Sequence, residues 1–229
     1  MNNATRTIVA TLGTIFGLSG MNHGLFEFLQ GNVPTGGLLI SAIGESHKMW
    51  PHGDEMAFTL IPNFLITGIA AVIVGLALII WSLGFVHRKH GPAVLLLLFI
   101  LLFLVGGGVA QILFFPWICL VSTRINNPLS RWMKILPVKV QKPLGKVRLG
   151  LLILCAALWV VALVIATTGF VPGASNPETA LSIMLISLVL QIVIMPLTFI
   201  AGFAHDLAAG VDRVPAETFA RQGIQKAAL

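Results

Sequence analysis

Five long apolar runs alternate with short polar connections along the chain, and this pattern predicts membrane-spanning helices. Each run contains more than twenty mostly apolar residues, and an α-helix needs about 20 residues to cross a hydrocarbon core of roughly 30 Å. The runs cover residues 8–28, 57–85, 92–121, 149–171 and 179–204. We therefore predict an all-α, polytopic integral membrane bundle of about five transmembrane helices, formed as a single domain over residues 1–229.

The composition agrees with this class of protein. The chain is 57% hydrophobic and only 10% charged, with a mean hydropathy of +0.96, whereas soluble domains are about 25% charged. A soluble fold is excluded. We expect a multi-pass protein of the plasma membrane of a prokaryote.

Four glycines of the first run lie on one stripe of the predicted helix. Their spacing is i, i+4, i+7 and i+11, and the residues are Gly13, Gly17, Gly20 and Gly24. Small residues on one face allow the backbone of a second helix to approach closely. The stripe fits a homodimer, or a second helix of the same bundle, equally well.

The third and fifth runs contain residues that disfavour regular helix. The third has glycines at 106–108 near its middle, and the fifth contains Pro196, which removes a backbone donor and should kink the helix. We prefer one long or tilted helix for the third run over a re-entrant hairpin, because a hairpin leaves peptide groups unpaired at membrane depth. Three glycines cost only about 1 kcal/mol each in a helix. Broken helices can instead open a small cavity, as they do in transporters.

The distribution of basic residues predicts an orientation, since Lys and Arg are retained on the cytoplasmic side. Seven of the 14 Lys and Arg residues lie from Arg124 to Arg148. Five crossings with the N-terminus outside place 11 Lys and Arg residues inside the cell and 3 outside. If the third run is instead a re-entrant hairpin, 13 Lys and Arg residues lie inside and 1 lies outside. With the preferred third helix, we predict an external N-terminus, a cytoplasmic loop at 122–148 and a cytoplasmic, helix-compatible tail at 205–229.

The basic loop contains the string LSRWMKILP, which predicts a short helix at the membrane interface. Trp132, Ile135 and Leu136 would face the membrane while Arg131 and Lys134 stay in water. The charges are explained either by retention in the cytoplasm or by binding of anionic lipid headgroups along 124–148. The expected partners are membrane lipids and a second copy or another membrane protein, and nucleic acid is not expected.

Ionisable residues near the end of the first run are the first candidates for chemistry. His23 and Glu27 lie one turn apart beside the glycine stripe, so they should face protein rather than lipid. Ionisable groups inside a membrane are costly and often functional. The pair is a candidate for acid and base catalysis, and hydrogen bonding to neighbouring helices is the alternative interpretation.

The loop ESHKMWPHGDE supplies a second set of histidines and carboxylates. Imidazole nitrogen and carboxylate oxygen are ligands for transition metals and members of proton relays. With five crossings, this loop lies at the same side as His205 and Asp206, so the groups could converge. An exposed, solvated loop is the alternative. The weak metal-site candidates are His47, His52, Asp54 and Glu55, with Glu45 beside them.

Three amides and two cysteines also lie in or beside the apolar runs. Asn63, Gln111 and Gln191 are expected to make interhelical hydrogen bonds, each worth about 1 kcal/mol, although a solute path would use the same groups. Cys119 and Cys155 lack CxxC spacing, so we expect core residues without a disulfide.

The motifs favour a protein that is not an enzyme. The chain has no Walker loop, serine elbow or dinucleotide fingerprint, and its histidines at span ends and in loops do not favour haem, so no cofactor is expected. The leading hypothesis is a small permease or an accessory membrane subunit. The alternatives are a membrane-embedded enzyme acting on a lipid or quinone, or a metal-binding membrane sensor.

Overall fold

The computed structural model describes residues 1–211, and most of them are helical. The helices are α1 (Asn3–Leu29), α2 (Phe64–Gly84), α3 (Gly91–Leu104), α4 (Phe115–Ser122), α5 (Ser130–Ile135), α6 (Val138–Lys146), α7 (Arg148–Thr168) and α8 (Pro177–Val211). Strands β1 (Leu39–Ser41) and β2 (Met56–Phe58) form an antiparallel pair between α1 and α2. The predicted all-α class is confirmed; the predicted tail beyond residue 211 lies outside the described residues.

Three helices within residues 1–211 are long and apolar enough to cross a membrane. They are Phe64–Gly84, Arg148–Thr168 and Pro177–Gly210. Their outer faces are apolar, which suits contact with lipid rather than water. On α2 one exposed stripe consists of Ile66, Ile69, Ile73, Leu76, Ile80 and Leu83. A membrane protein is therefore supported, while the count of five spans is not confirmed.

Helix α1 lies at the centre of the bundle, and its glycine stripe packs inside the same chain. A Cβ atom on Gly17 would lie 2.8 Å from the carbonyl oxygen of Gly75, and one on Gly24 would lie 2.7 Å from that of Gly68. The same holds in the other direction. Cβ atoms on Gly68 and Gly75 of α2 would lie against the carbonyl oxygens of Gly24 and Gly17, respectively. The stripe thus joins α1 to α2.

The third apolar run is not one helix, and this prediction is wrong. Helix α3 ends at Leu104, and the chain then turns through residues 105–109 and the 3₁₀ helix Ala110–Leu113 before α4 begins. Gly106 and Gly108 have φ values of +100° and +96°, a region that favours glycine. Helix α4 returns along α3, so that Phe99 stacks on Phe115 with ring centroids 5.3 Å apart.

Both ends of this hairpin lie at one end of the bundle. The Asn126 side-chain amide donates to the carbonyl of His87, 2.6 Å away, although the two residues flank opposite ends of the run.

The exposed peptide groups expected at such a break are paired by the segment around β2. The amide of Gly106 donates to the backbone carbonyl of Phe58 at 2.9 Å, and the amide of Val109 donates to the backbone carbonyl of Met56 at 3.0 Å. The Thr67 hydroxyl on α2 donates to the carbonyl of Val105 at 2.8 Å. Irregular backbone at membrane depth is tolerated when protein covers it. The objection to a hairpin therefore does not apply.

Charge is divided between the two ends of the bundle. The Asn2 amide donates to the carbonyl of Ile125 at 2.8 Å, which places the N-terminus beside the loop after α4. We call this the basic end; its Lys and Arg residues are Arg6, Arg88, Lys89 and the seven from Arg124 to Arg148. The opposite, acidic end holds Glu45, Asp54, Glu55 and Glu178, with Lys48 as the one Lys or Arg there among residues 1–211.

Two sequence predictions about these ends are wrong. The N-terminus and the basic loop share an end instead of lying on opposite sides, because the third run reverses. His205 and Asp206 also lie at the basic end, far from the loop with which they were expected to converge. Asp206 accepts hydrogen bonds from the amides of Ala4 and Thr5 at 3.0 and 2.9 Å, and so caps the start of α1.

The basic loop folds as two short helices, α5 and α6, which confirms the predicted helix in LSRWMKILP. The directions in which the apolar side chains of α5 and Leu136 face differ in part from the prediction. The Trp132 ring packs on Phe203 of α8 with centroids 4.8 Å apart, and Leu136 is buried, while Ile135 is exposed. Two of the three apolar side chains therefore contact protein.

The fifth run forms a helix that continues through Pro196. Gln191 joins it to α7, since its side-chain amide donates to the carbonyl of Cys155 at 2.7 Å and its oxygen accepts from the thiol at 3.1 Å. These bonds are the interhelical contacts expected for Gln191. Cys119 and Cys155 are both buried and free, as predicted.

Candidate functional site

The candidate site centres on an imidazole and a carboxylate brought together from distant parts of the chain. His23 Nε2 on α1 lies 3.7 Å from Glu55 Oε2, just before β2. The His23 side chain is 7% exposed and that of Glu55 26%, so the pair lies at the edge of the bundle interior. Such a pair can hold or exchange a proton and can bind a hydrogen-bonding group.

The pair faces a cavity of about 360 Å³ at the acidic end. Its polar lining consists of Ser19, His23, Glu55 and Gln111, on α1, the loop before β2 and the segment after the glycines. The opposite wall is apolar and includes Trp159, Ala162, Met184 and Leu188 of α7 and α8. A mostly apolar cavity with a few convergent polar groups is typical of a small-molecule site.

Glu27 lies behind this cavity and is fully buried. Its side chain is 0% exposed, and neither carboxylate oxygen has a hydrogen-bond partner among residues 1–211. A Cβ atom on Gly106 would overlap both oxygens, and one on Gly108 would lie 2.7 Å from His23 Nε2. The glycines thus provide room for the side chains of both His23 and Glu27.

Three contacts hold the loop that carries Glu55. The Trp50 indole donates to the carbonyl of Ala166 at 2.9 Å. His52 Nε2 lies 2.9 Å from Glu178 Oε1 at the start of α8, and the Gln30 side-chain amide donates to the carbonyl of Ala42 at 2.8 Å. The loop is therefore attached to both helices of the apolar wall as well as to the end of α1.

The surroundings of Glu55 disfavour its charged form. Burial raises the pKa of the Glu55 carboxyl, and the neighbouring charge of Asp54 raises it further. A cation in the cavity would have the opposite effect, because it would stabilise the carboxylate. Glu55 is thus able to respond to a positively charged ligand.

The structure brings together only some of the residues singled out in the sequence. His23 and Glu55 lie together, with Glu27 one helical turn from His23, whereas His47 lies on the 3₁₀ helix Glu45–His47, which has no buried residue. Asp54 accepts a hydrogen bond from Ser41 and lies 3.9 Å from Lys48. Residues 1–211 contain no group of three or more His, Cys, Asp or Glu side chains placed to hold a metal ion. The metal-site hypothesis therefore gains no support from this geometry.

The other two amides have different positions from that of Gln191. Asn63 is not at mid-span: it caps α2 by accepting a hydrogen bond from the amide of Ile66 at 3.1 Å, and it donates to Asn32 at 2.7 Å. Gln111 is buried at the cavity, where its amide donates to the carbonyl of Gly107. Its bond is therefore local rather than interhelical.

Two lining residues were not predicted. Ser19 precedes His23 and Glu27 by one and two helical turns, so the i, i+4, i+8 spacing was a signal for it. Trp159 carried no such signal. Its indole nitrogen is buried without a hydrogen-bond partner among the described residues, and its ring packs against Phe16 with centroids 4.7 Å apart.

Comparison of the chain with protein families, with curated proteins and with solved structures gives no match.

Proposed function

We propose that this chain is a polytopic membrane protein that binds a small amphipathic cation at its acidic end, as a permease or as the binding subunit of a larger assembly. The observation that carries the proposal is the cavity of about 360 Å³ with Glu55 and His23 on one wall and apolar side chains on the other. The cationic head would lie beside Glu55, and the apolar body would lie along α7 and α8.

The charge distribution supports a cation rather than an anion. Glu55 lines the cavity, and Lys48 is the one Lys or Arg at this end among residues 1–211, so the local potential attracts positive charge. Trp159 also lines the cavity, and an aromatic ring attracts a cation that lies over its face. A simple apolar ligand would offer no polar group to Glu55 and His23 on the cavity wall.

The proposed arrangement in the membrane follows from the basic end. Lys and Arg are retained in the cytoplasm, so we place the basic end there and the cavity near the opposite surface. Helices α1, α2, α7 and α8 would cross the membrane, and the α3–α4 hairpin would enter and leave at the cytoplasmic surface. The N-terminus would then be cytoplasmic.

Binding can be tested with a pair of probes that differ in charge but not in shape. Benzyltrimethylammonium and its neutral carbon isostere neopentylbenzene are titrated into the protein in lipid nanodiscs. We expect saturable binding of the cation and weaker binding of the isostere. Equal binding of both, or no saturable binding of the cation, would contradict the proposal.

The role of Glu55 is tested by Glu55→Gln, with Glu45→Gln as a matched control in the same loop. The ammonium probe has no N–H to donate, so its contact with Glu55 is electrostatic. Unit charges about 4 Å apart attract by roughly 4 kcal/mol at an effective dielectric constant of about 20, so Glu55→Gln should weaken cation binding about tenfold or more. Glu45 is exposed and paired with Lys48, so its variant should bind normally. Uptake of the same probe into proteoliposomes then separates a permease from a binding subunit.

A second function is favoured by the His23–Glu55 pair itself. Two titratable groups facing an apolar cavity in a membrane are also suited to acid–base catalysis on a lipid or quinone. Mass spectrometry of lipids and quinones incubated with the wild-type protein and with His23→Ala would detect such a reaction. A product formed only by the wild type would favour the enzyme over the permease.

A further inference from the structure

Cation binding at Glu55 leaves a second, deeper carboxyl group unexplained. Glu27 lies one helical turn beyond His23, is 0% exposed and has no hydrogen-bond partner for either oxygen among residues 1–211. The Nδ1 atom of His23 is likewise buried without a partner there. A buried, unpaired charge is far more costly than a buried neutral group.

Within residues 1–211, the elements packed around Glu27 and His23 supply no lysine or arginine side chain. The segment after α3 brings glycines, and α2 brings Gly68 and Ala71 against Gly24 between them. Among residues 1–211, the ion-pair partner of His23 is Glu55, and Glu27 follows His23 by one turn of the same helix. The one Lys or Arg described at this end, Lys48, contacts Glu45 and Asp54 instead.

We propose that Glu27 holds a proton in the ligand-free protein and releases it when a cation binds beside Glu55. This inference rests on the proposed cation site. The Glu27 O–H bond breaks, the carboxylate keeps the electron pair, and the proton leaves for water in the cavity. One positive charge enters as another departs, so the net charge of the protein interior is unchanged.

The geometry provides a path for that proton. Glu27 and His23 are at i and i−4 on α1, and such residues are neighbours on one helix face. His23 Nε2 lies 3.7 Å from Glu55 Oε2, which lines the cavity. Imidazole can accept a proton at one nitrogen and donate from the other. His23 lines the cavity, and Glu27, which does not line it, is one turn further along the same helix.

The test is a count of protons released per cation bound. Benzyltrimethylammonium is titrated into the full-length protein in nanodiscs, with calorimetry in buffers of different ionisation enthalpy. We expect release of close to one proton, and an affinity that rises with pH by up to about tenfold per pH unit. Glu27→Gln, which is close in shape to the protonated acid, should release close to one proton fewer per cation than the wild type. Its affinity should depend less steeply on pH, with Glu55 as the remaining acid that faces the cavity.

Glu45→Gln serves as the control and should behave as the wild type in every measurement. Infrared spectroscopy gives a readout that does not require the variant to fold: the C=O band of a protonated carboxyl in the wild type should decrease when the cation is added. Cation binding without proton release, or a number of released protons that Glu27→Gln leaves unchanged, would overturn the exchange alone. Absence of cation binding would overturn the proposed function and the exchange with it.

Discussion

Glu27 of α1 and Gly106 of the broken third run lie in direct contact, so that any Cβ atom at position 106 would overlap the buried carboxylate. Gly106 also has a φ of +100°. We therefore predict that Gly106→Ala destabilises the protein for two reasons, backbone strain of about 1–2 kcal/mol and crowding of Glu27. Thermal and chemical unfolding in detergent would measure the total loss.

Gly36→Ala separates the two effects. Gly36 has a φ of +74° but no atom within 4 Å of its Cβ position, so its variant should show the backbone cost alone. Glu27→Ala should in turn recover part of the loss caused by Gly106→Ala. Equal losses in the two alanine variants would show that Glu27 is not crowded.

Glu55 should make stability depend on pH. Because burial raises its pKa in the folded protein, the folded state binds this proton more tightly than the unfolded chain does. The resulting stabilisation is complete at acid pH, below the pKa of the unfolded chain, and is lost as pH rises through the raised pKa. Melting temperatures measured from about pH 4 to pH 8 should therefore depend less on pH in Glu55→Gln. A wild-type profile retained by that variant would assign the titration to another group.

The fold predicts that the two ends of the third run are exposed on one side of a membrane. Single cysteines placed at Lys89 and Lys134 should react with an impermeant maleimide from the same side, and one at Glu45 from the other. Labelling of positions 89 and 134 from opposite sides would instead indicate that the third run crosses the membrane once. Cys119 and Cys155 are buried and should contribute little background labelling.

The helix pair α1–α2 should be sensitive to a single methyl group. In Gly24→Ala the new Cβ atom would lie 2.7 Å from the carbonyl oxygen of Gly68, and such overpacking costs about 1–3 kcal/mol. Gly150→Ala in α7 is the control, because nothing lies within 4 Å of its Cβ position. The control should unfold like the wild type or be more stable, since alanine favours helix by about 1 kcal/mol.

Trp159 should reveal which property of the ligand is recognised. Trp159→Phe keeps an aromatic face and loses the indole N–H, whereas Trp159→Leu loses both. If the ring attracts a cation, benzyltrimethylammonium should bind to Trp159→Phe several-fold more tightly than to Trp159→Leu. Equal weakening in both variants would contradict attraction of the cation by the aromatic ring.

Local patterns predicted much of the fold but not the reversal of the third run. The apolar helices and the glycine face of α1 are determined by residues close together in the sequence, so the spacing of those residues predicts them. The break at Gly106 depends on a backbone partner at Phe58, 48 positions earlier, and no periodicity reports such a pair. Likewise, His23 was a candidate because of its position on α1, but its distance from Glu55 depends on how the intervening loop folds.

The hydrogen bonds between β2 and residues 105–109 also constrain the order of assembly. The loop that supplies the acceptors is synthesised before the run that needs them, so it can already lie on the far side of the membrane when that run is inserted. In a circularly permuted chain that began after α2, the third run would be inserted into the membrane before the β2 segment that pairs with it had been synthesised. Its peptide groups would then meet hydrocarbon unpaired, and degradation would compete with folding even though every native contact remained available.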